Sequence, residues 1–228
     1  MKAERKATFK GLVMIVSFAV VLAFLFMPVF DGHNSMEFLD NLYNSISKGS
    51  ADYAGVVREE ILELEEVAFR MEVEMASREQ AGQSALLLKA AGADSDVENK
   101  IIKVNGNLKN ILLTAINDSK IMFDNDGDKI ASKYGYNERR VLYNWWILLN
   151  KIGNELTNRK QFEATKNINL VQNRVIECSY NYYGIETQSI KDKYFIVIVS
   201  LVFYVIYTIW YGFGIMYLFE GFGMKLGH

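Results

Sequence analysis

Two stretches of the chain contain no charge at all. Residues 11–30 (GLVMIVSFAVVLAFLFMPVF) run twenty positions and residues 195–219 (FIVIVSLVFYVIYTIWYGFGIMYLF) run twenty-five. As helices they measure about 30 and 37 Å, against a bilayer hydrocarbon core of about 30 Å. A helix of a soluble domain keeps a polar face, and neither run has one. The expectation is two membrane-spanning helices bracketing the rest of a 228-residue chain.

The first run reads as an uncleaved signal anchor, being longer than a usual signal-peptide core and lacking a small-x-small cleavage site after Phe24-Leu25-Phe26. Lys2, Arg5, Lys6 and Lys10 precede it, while residues 31–48 carry Asp31, Glu37 and Asp40 against Lys48. Basic residues stay on the cytoplasmic side. The expected layout is a cytoplasmic amino terminus (1–10), a first span (11–30), an extracytoplasmic domain (31–193), a second span (195–219) and a short cytoplasmic tail (220–228). The expected site is a bacterial inner membrane, and Phe30, Tyr182, Tyr183 and Tyr194 suit its aromatic belts.

Between the spans there is no proline, and the only one in the chain is Pro28. That favours long uninterrupted helices. Asn34, with Glu37 three residues on, opens a short juxtamembrane helix that stops at Gly49. Val57, Ile61, Leu64, Ala68, Met71 and Met75 then recur at coiled-coil steps. Gly92 supplies a stop, Ser95-Asp96-Val97-Glu98 a capping box, and Val97, Ile101, Val104, Leu108, Ile111 and Ala115 a second seam. A polar loop, 124–135, leads to a third seam on Val141, Trp145, Leu148 and Ile152. Beyond a break near 157–161 comes a fourth on Ala164, Ile168, Val171, Val175, Cys178 and Tyr182. The predicted fold class is all-α: an antiparallel four-helix bundle between two transmembrane helices, with the short juxtamembrane helix added.

Charge divides this region. Residues 31–98 carry fifteen acids and five bases, while residues 99–193 carry ten acids and fifteen bases. Either the two halves attract on docking, or the acidic surface faces a partner or cation. Glu59, Glu63, Glu66 and Glu74, opposite the Val57 seam, are the candidate acidic face, with Arg70 placed to pair with Glu66 and Glu74. Asp124-Asn125-Asp126-Gly127-Asp128 opens like a calcium loop, but Lys129 stands where glycine is needed and Gly135 where glutamate is needed.

Catalytic and cofactor signatures are not present in the sequence. One cysteine excludes a disulfide framework and a cysteine zinc site, and a near-neutral charge leaves no nucleic-acid footprint. The histidines, His33 and His228, make no ExxH pair for a di-iron bundle. Trp145-Trp146 reads as core packing rather than a cation cage. No nucleotide-binding, nucleophile-elbow or zinc-protease pattern occurs. The expectation is a non-enzyme without catalytic, metal-binding or cofactor-binding residues.

Small and polar residues mark helix-packing faces inside the spans: Ala19 and Ala23 in the first, Ser200, Thr208 and Gly212 in the second. They serve either contact between the spans or docking on a foreign subunit. Two functions follow as expectations. One is a scaffold or accessory subunit of a membrane complex, with the bilayer and integral-membrane or periplasmic proteins, or further copies of itself, as partners. The other is an extracytoplasmic sensor of a ligand or cation. In layout, residues 11–219 resemble the ligand-binding half of bacterial chemoreceptors and related histidine kinases. Pro28 and Asp31-Gly32 interrupt the helix that is continuous in those receptors. The nine residues from Glu220 on imply that a signal would pass to a separate membrane partner.

Overall fold

The structure, a computed structural model, describes residues 2–30, 32–66 and 68–224. Asp31 and the end of the expected tail, 225–228, lie outside the described residues. The chain divides into two compact units, Met1–Gly49 with Thr187–His228, and Ser50–Glu186.

The first unit is a helical hairpin with a short helix attached. Helix α1 (Lys2–Leu25) pairs with the last helix, α9 (Ile190–Gly221), and both are long and apolar enough to cross a membrane. Their seam is closed by glycines. A Cβ on Gly11 would lie 2.7 Å from the Leu218 backbone nitrogen, one on Gly214 would lie 2.8 Å from Ile15, and one on Gly221 would strike Thr8. Phe18 stacks on Tyr207 with ring centroids 4.1 Å apart. Ile15 against Gly214 and Gly11 against Leu218 show the helices running antiparallel. Helix α2 (Ser35–Lys48) begins at the expected start signal, which closes as a capping box: Asn34 accepts from Met36 and Glu37, and Glu37 accepts from Asn34.

The second unit mixes helices with a sheet. In order come α3 (Ala54–Leu62), β1 (Ala68–Glu74), α4 (Arg78–Ala90), β2 (Asp94–Glu98), β3 (Ile101–Asn107), α5 (Leu108–Phe123), α6 (Gly127–Tyr134) and α7 (Glu138–Asn158). Helix α8 follows over residues 162–182, with a π turn at Gln172–Ile176. Strand β3 lies between β1 and β2 and is antiparallel to both.

The chain is therefore mostly helical, as expected, but the unit is not the predicted four-helix bundle. Two of the four expected helical seams are interrupted by strands. Met71 and Met75 fit a helical step of four, yet they also fit the alternation Phe69, Met71, Val73, Met75, every member of which is buried. The β-branched Ile101, Ile102 and Val104 favour extended backbone. The predicted capping box at Ser95–Glu98 is instead β2. Asn99, left-handed at φ 57°, turns it into β3, a conformation asparagine tolerates better than most residues. Gly106 keeps this hairpin tight, since a Cβ there would lie 2.6 Å from Ala93. The expected polar loop at 124–135 holds helix α6, ended by left-handed Gly135.

The later seams form as read. Val141, Trp145, Leu148 and Ile152 of α7 are fully buried, as are Ile168 and Val171 of α8. The break between those helices falls at Arg159–Gln161, with Lys160 at φ 62°. One core joins the inner sheet face to α4, α5, α7 and α8. Each large apolar side chain fully buried there contributes about 1.5–3 kcal/mol.

Candidate functional site

Alternation along the strands separates two faces. Phe69, Met71, Val73, Ile102 and Val104 point into the core, so their neighbours point away. Those neighbours form three cross-strand rows: Arg70, Asn105, Asp94; Glu72, Lys103, Asp96; and Glu74, Ile101, Glu98. All nine are exposed. Lys103 sits at the centre and donates to Glu98 at 2.8 Å. That hydrogen bond and the Lys103 charge hold the Glu98 carboxyl below its usual range, and the same contact raises Lys103. A groove of about 510 Å³ runs along this face between Arg70, Lys89, Asp94, Asp96 and Lys103.

The predicted acidic face is dispersed. Glu59 is on α3, Glu63 caps that helix, Glu66 lies in the following loop, and Glu74 is in β1. All four are exposed, but only Glu74 belongs to the charged sheet face. Because Arg70 and Glu74 share a strand, they sit two side-chain positions apart rather than one helical turn apart. Arg159 reaches the outer edge of β1 and donates to the Arg70 carbonyl at 3.0 Å. Among the described residues, no group of three or more His, Cys, Asp and Glu side chains is placed to hold a metal.

Of the predicted membrane packing residues, Ser200 accepts or donates a 2.6 Å hydrogen bond with Tyr43 of α2. Ala19, Ala23, Thr208 and Gly212 stand on the outer sides of the hairpin, where a Cβ on Gly212 would meet nothing within 4 Å. The seam uses Gly11, Gly214 and Gly221 instead. The last two are seven residues apart, a spacing that a search for four-residue steps passes over.

Behind the sheet lies a hub that the sequence reading missed. Asp118 of α5 is fully buried and accepts from Trp145 Nε1 at 2.9 Å, from Lys133 Nζ at 2.7 Å and from the Tyr134 hydroxyl. A buried carboxylate needs such partners. Burial, and then the Asp118 charge, push the Tyr134 phenol far up. A signal was available: continuing the seam Leu108, Ile111, Ala115 by three residues lands on Asp118, an acid on a core face. Nearby, Gln80 donates to Asn144 at 3.1 Å and Asn144 donates to Gln83 at 2.9 Å, tying α4 to α7.

Trp145 and Trp146 play different parts. Trp145 is core. Trp146 is half-buried, donates to Glu177 Oε1 at 2.8 Å, and lines a groove of about 260 Å³ with Leu142, Tyr143, Ile176, Tyr180 and Asn181. The π turn supports this wall. Gln172 donates from its side chain to the Trp146 carbonyl, while the Glu177 amide bonds the Gln172 carbonyl five residues back.

The Tyr180–Gly184 run fastens the end of the unit. Arg139 donates to the Tyr183 carbonyl at 3.1 Å and lies over the Tyr183 ring. Asn125, left-handed at φ 64°, accepts from the Gly184 amide and donates to the Ile185 carbonyl. Its neighbours Asp124 and Asp126 pair with Lys120 and Lys129. The segment that opens like a calcium loop therefore serves as a clasp. Cys178 donates to the Ala51 carbonyl at 3.1 Å, and burial, with Asp52 nearby, pushes its thiol up, away from thiolate reactivity.

Compared with protein-family models, curated proteins and solved structures, the chain shows no match. What its sites do rests on their geometry alone.

Proposed function

We infer that this chain is a membrane-anchored, non-catalytic accessory subunit, tethered by α1 and α9 and recruiting a protein partner through the open face of its sheet. The observation that carries this reading is the placement of Arg70, Glu72, Glu74, Asp94, Asp96, Glu98 and Lys103 together on one exposed face of the sheet. Such a face offers a patterned surface of both signs, which selects partners by charge complementarity. The helices α1 and α9 are apolar on surfaces that are almost entirely exposed, as lipid contact requires. The basic residues ahead of Gly11 support a cytoplasmic amino terminus, a bacterial inner membrane, and residues 50–186 on the extracytoplasmic side.

The test is native-gel analysis and crosslinking of a gentle detergent extract. A stable complex with another subunit, lost on reversing Glu72 and Asp96 to lysine while α1 and α9 remain intact, is the expected result. A free monomer or a homodimer under those conditions overturns the reading.

The groove beside Trp146 favours one second reading, an extracytoplasmic sensor acting through a separate membrane partner. Its partly enclosed wall, mainly aliphatic and aromatic with one carboxylate, has the make-up of a small-ligand site. Ligand-dependent thermal shifts that vanish in Trp146→Ala would favour it. A flat response across metabolites and divalent ions would dismiss it.

A further inference from the structure

The hairpin helices are unequal. Lys10 Nζ donates to the Tyr217 hydroxyl at 2.7 Å and lies 4.0 Å above that ring. This pairing of a snorkelling lysine with an aromatic belongs at a membrane–water boundary. From Tyr217, α9 climbs about 26 Å to Ser200, close to the depth of a hydrocarbon core. Helix α1 starts from the same boundary and climbs only about 23 Å from Lys10 before it stops at Leu25. The depth α1 leaves unspanned is met by the non-helical segment Phe26–Phe30.

Irregular backbone is excluded from lipid because its amides have no partners there. In this segment they have them. Phe26 donates to the Leu22 carbonyl at 3.3 Å, Met27 to Phe24 at 3.1 Å, and Val29 to Met27 at 2.9 Å. Phe30 and His33 exchange a pair at 3.0 and 2.8 Å. The one remaining residue is Pro28, which has no amide hydrogen to satisfy. The side chains complete the pattern: Phe26, Met27, Val29 and Phe30 are 41–61% exposed. Tyr43, bonded to Ser200 at 2.6 Å, fixes α2 at the same level as this segment.

We propose that the Phe26–Phe30 turn is inserted into the lipid leaflet that α1 fails to reach, so that the hydrocarbon–headgroup boundary is the partner of this apolar patch. Helix α2 then lies along the interface with Glu37, Asp40 and Asn41 toward water. The patch continues the lipid-facing surface of the hairpin, and its internally closed amides suit lipid and confer no advantage in water. The proposal rests on the membrane reading of α1 and α9.

The experiment uses the full chain in phosphatidylcholine–phosphatidylglycerol vesicles. In a C178S background, single cysteines replace Val29, Asp40 or Val205 and carry an environment-sensitive fluorophore. Quenching is read with lipids bearing a nitroxide at shallow or deep acyl positions, and with aqueous iodide. The expected result is strongest shallow-lipid quenching at position 29, deep-lipid quenching at 205, and iodide quenching alone at 40. If 29 behaves like 40 while 205 stays lipid-quenched, the membrane reading stands and the insertion is overturned. If 205 is also reached by iodide and not by lipid, both fall. Photolabelling of the wild-type chain by a phospholipid with a headgroup-proximal diazirine needs no substitution. Adducts within residues 26–30 support insertion, and their absence alongside adducts on α9 refutes it.

Discussion

Trp145 donates its indole N–H to Asp118 at 2.9 Å, joining α7 to α5 through a carboxylate that water does not reach. Lys133 and Tyr134 complete the shell from α6, so three elements are held by one side chain.

Removing that carboxylate leaves three donors facing each other without an acceptor. Asp118→Ala is expected to lower the stability of the unit by about 3–5 kcal/mol, because buried polar partners are orphaned. Tyr134→Phe, which removes one donor, is expected to lose about 1 kcal/mol. Denaturant unfolding in detergent, followed by tryptophan fluorescence, reads both. An Asp118→Ala protein as stable as the wild type would remove the hub from the account of this fold.

Tyrosine titration gives a pH signature. Burial pushes the Tyr136 phenol up to about 12 and the Tyr134 phenol higher still. A group whose folded pKa is raised contributes stability that is complete below its unfolded value, near 10, and lost as pH rises toward the folded value. The unit is therefore expected to weaken between about pH 10 and 12. In the ultraviolet tyrosinate titration, Tyr136→Phe is expected to remove a late step. If that variant titrates like the wild type, the Tyr136 hydroxyl is not held as described.

The glycine seam and the outer glycine give opposite expectations. Gly11→Leu places a side chain against the Leu218 backbone, which has no rotamer to yield, so it is expected to separate α1 from α9 and lower thermal stability in detergent by several degrees. Gly212→Ala meets open space and is expected to stay within about 0.5 kcal/mol of the wild type. Comparing melting curves decides between the two faces, and a larger loss at position 212 would assign the seam to the wrong side.

Calcium offers a separate check on the clasp at Asn125. Its flanking carboxylates are already paired with Lys120 and Lys129, so millimolar calcium or a chelator is expected to leave the melting temperature unchanged. Asn125→Ala loses the bonds to Gly184 and Ile185 and strains a left-handed position, and a loss of about 1–2 kcal/mol is expected. A calcium-dependent rise in melting temperature would restore the metal reading.

The helical ends of this protein were legible in its sequence and its sheet was not. Residues 141–152 and 164–182 show their faces because helical spacing places bulky residues where no strand alternation competes. From 68 to 75, Met71 and Met75 satisfy both periods, and only the intervening Phe69 and Val73 distinguish them. The charged sheet face was out of reach for the same reason: once the strands were read as helix, Glu72, Lys103 and Asp96 had no cause to be neighbours. Asp118 was visible as an exception to the very seam that predicted its helix. Gly214 and Gly221 recur at seven residues, the repeat of a coiled seam, whereas the small residues found at four-residue spacing face outward.

The π turn of α8 adds one residue to a helix whose two ends serve different neighbours. An extra residue advances the following side chains by about 100° around the axis. Ile168, Val171, Val175 and Ile176 are packed in the core, while Glu177 and Tyr180 are phased to the groove beside Trp146, which Ile176 also lines. Deleting Asn173 would return the helix to one regular phase and swing Glu177 away from Trp146. The Glu177 side of the groove thus depends on a single inserted residue, so it can be altered without disturbing the packing of the helix upstream.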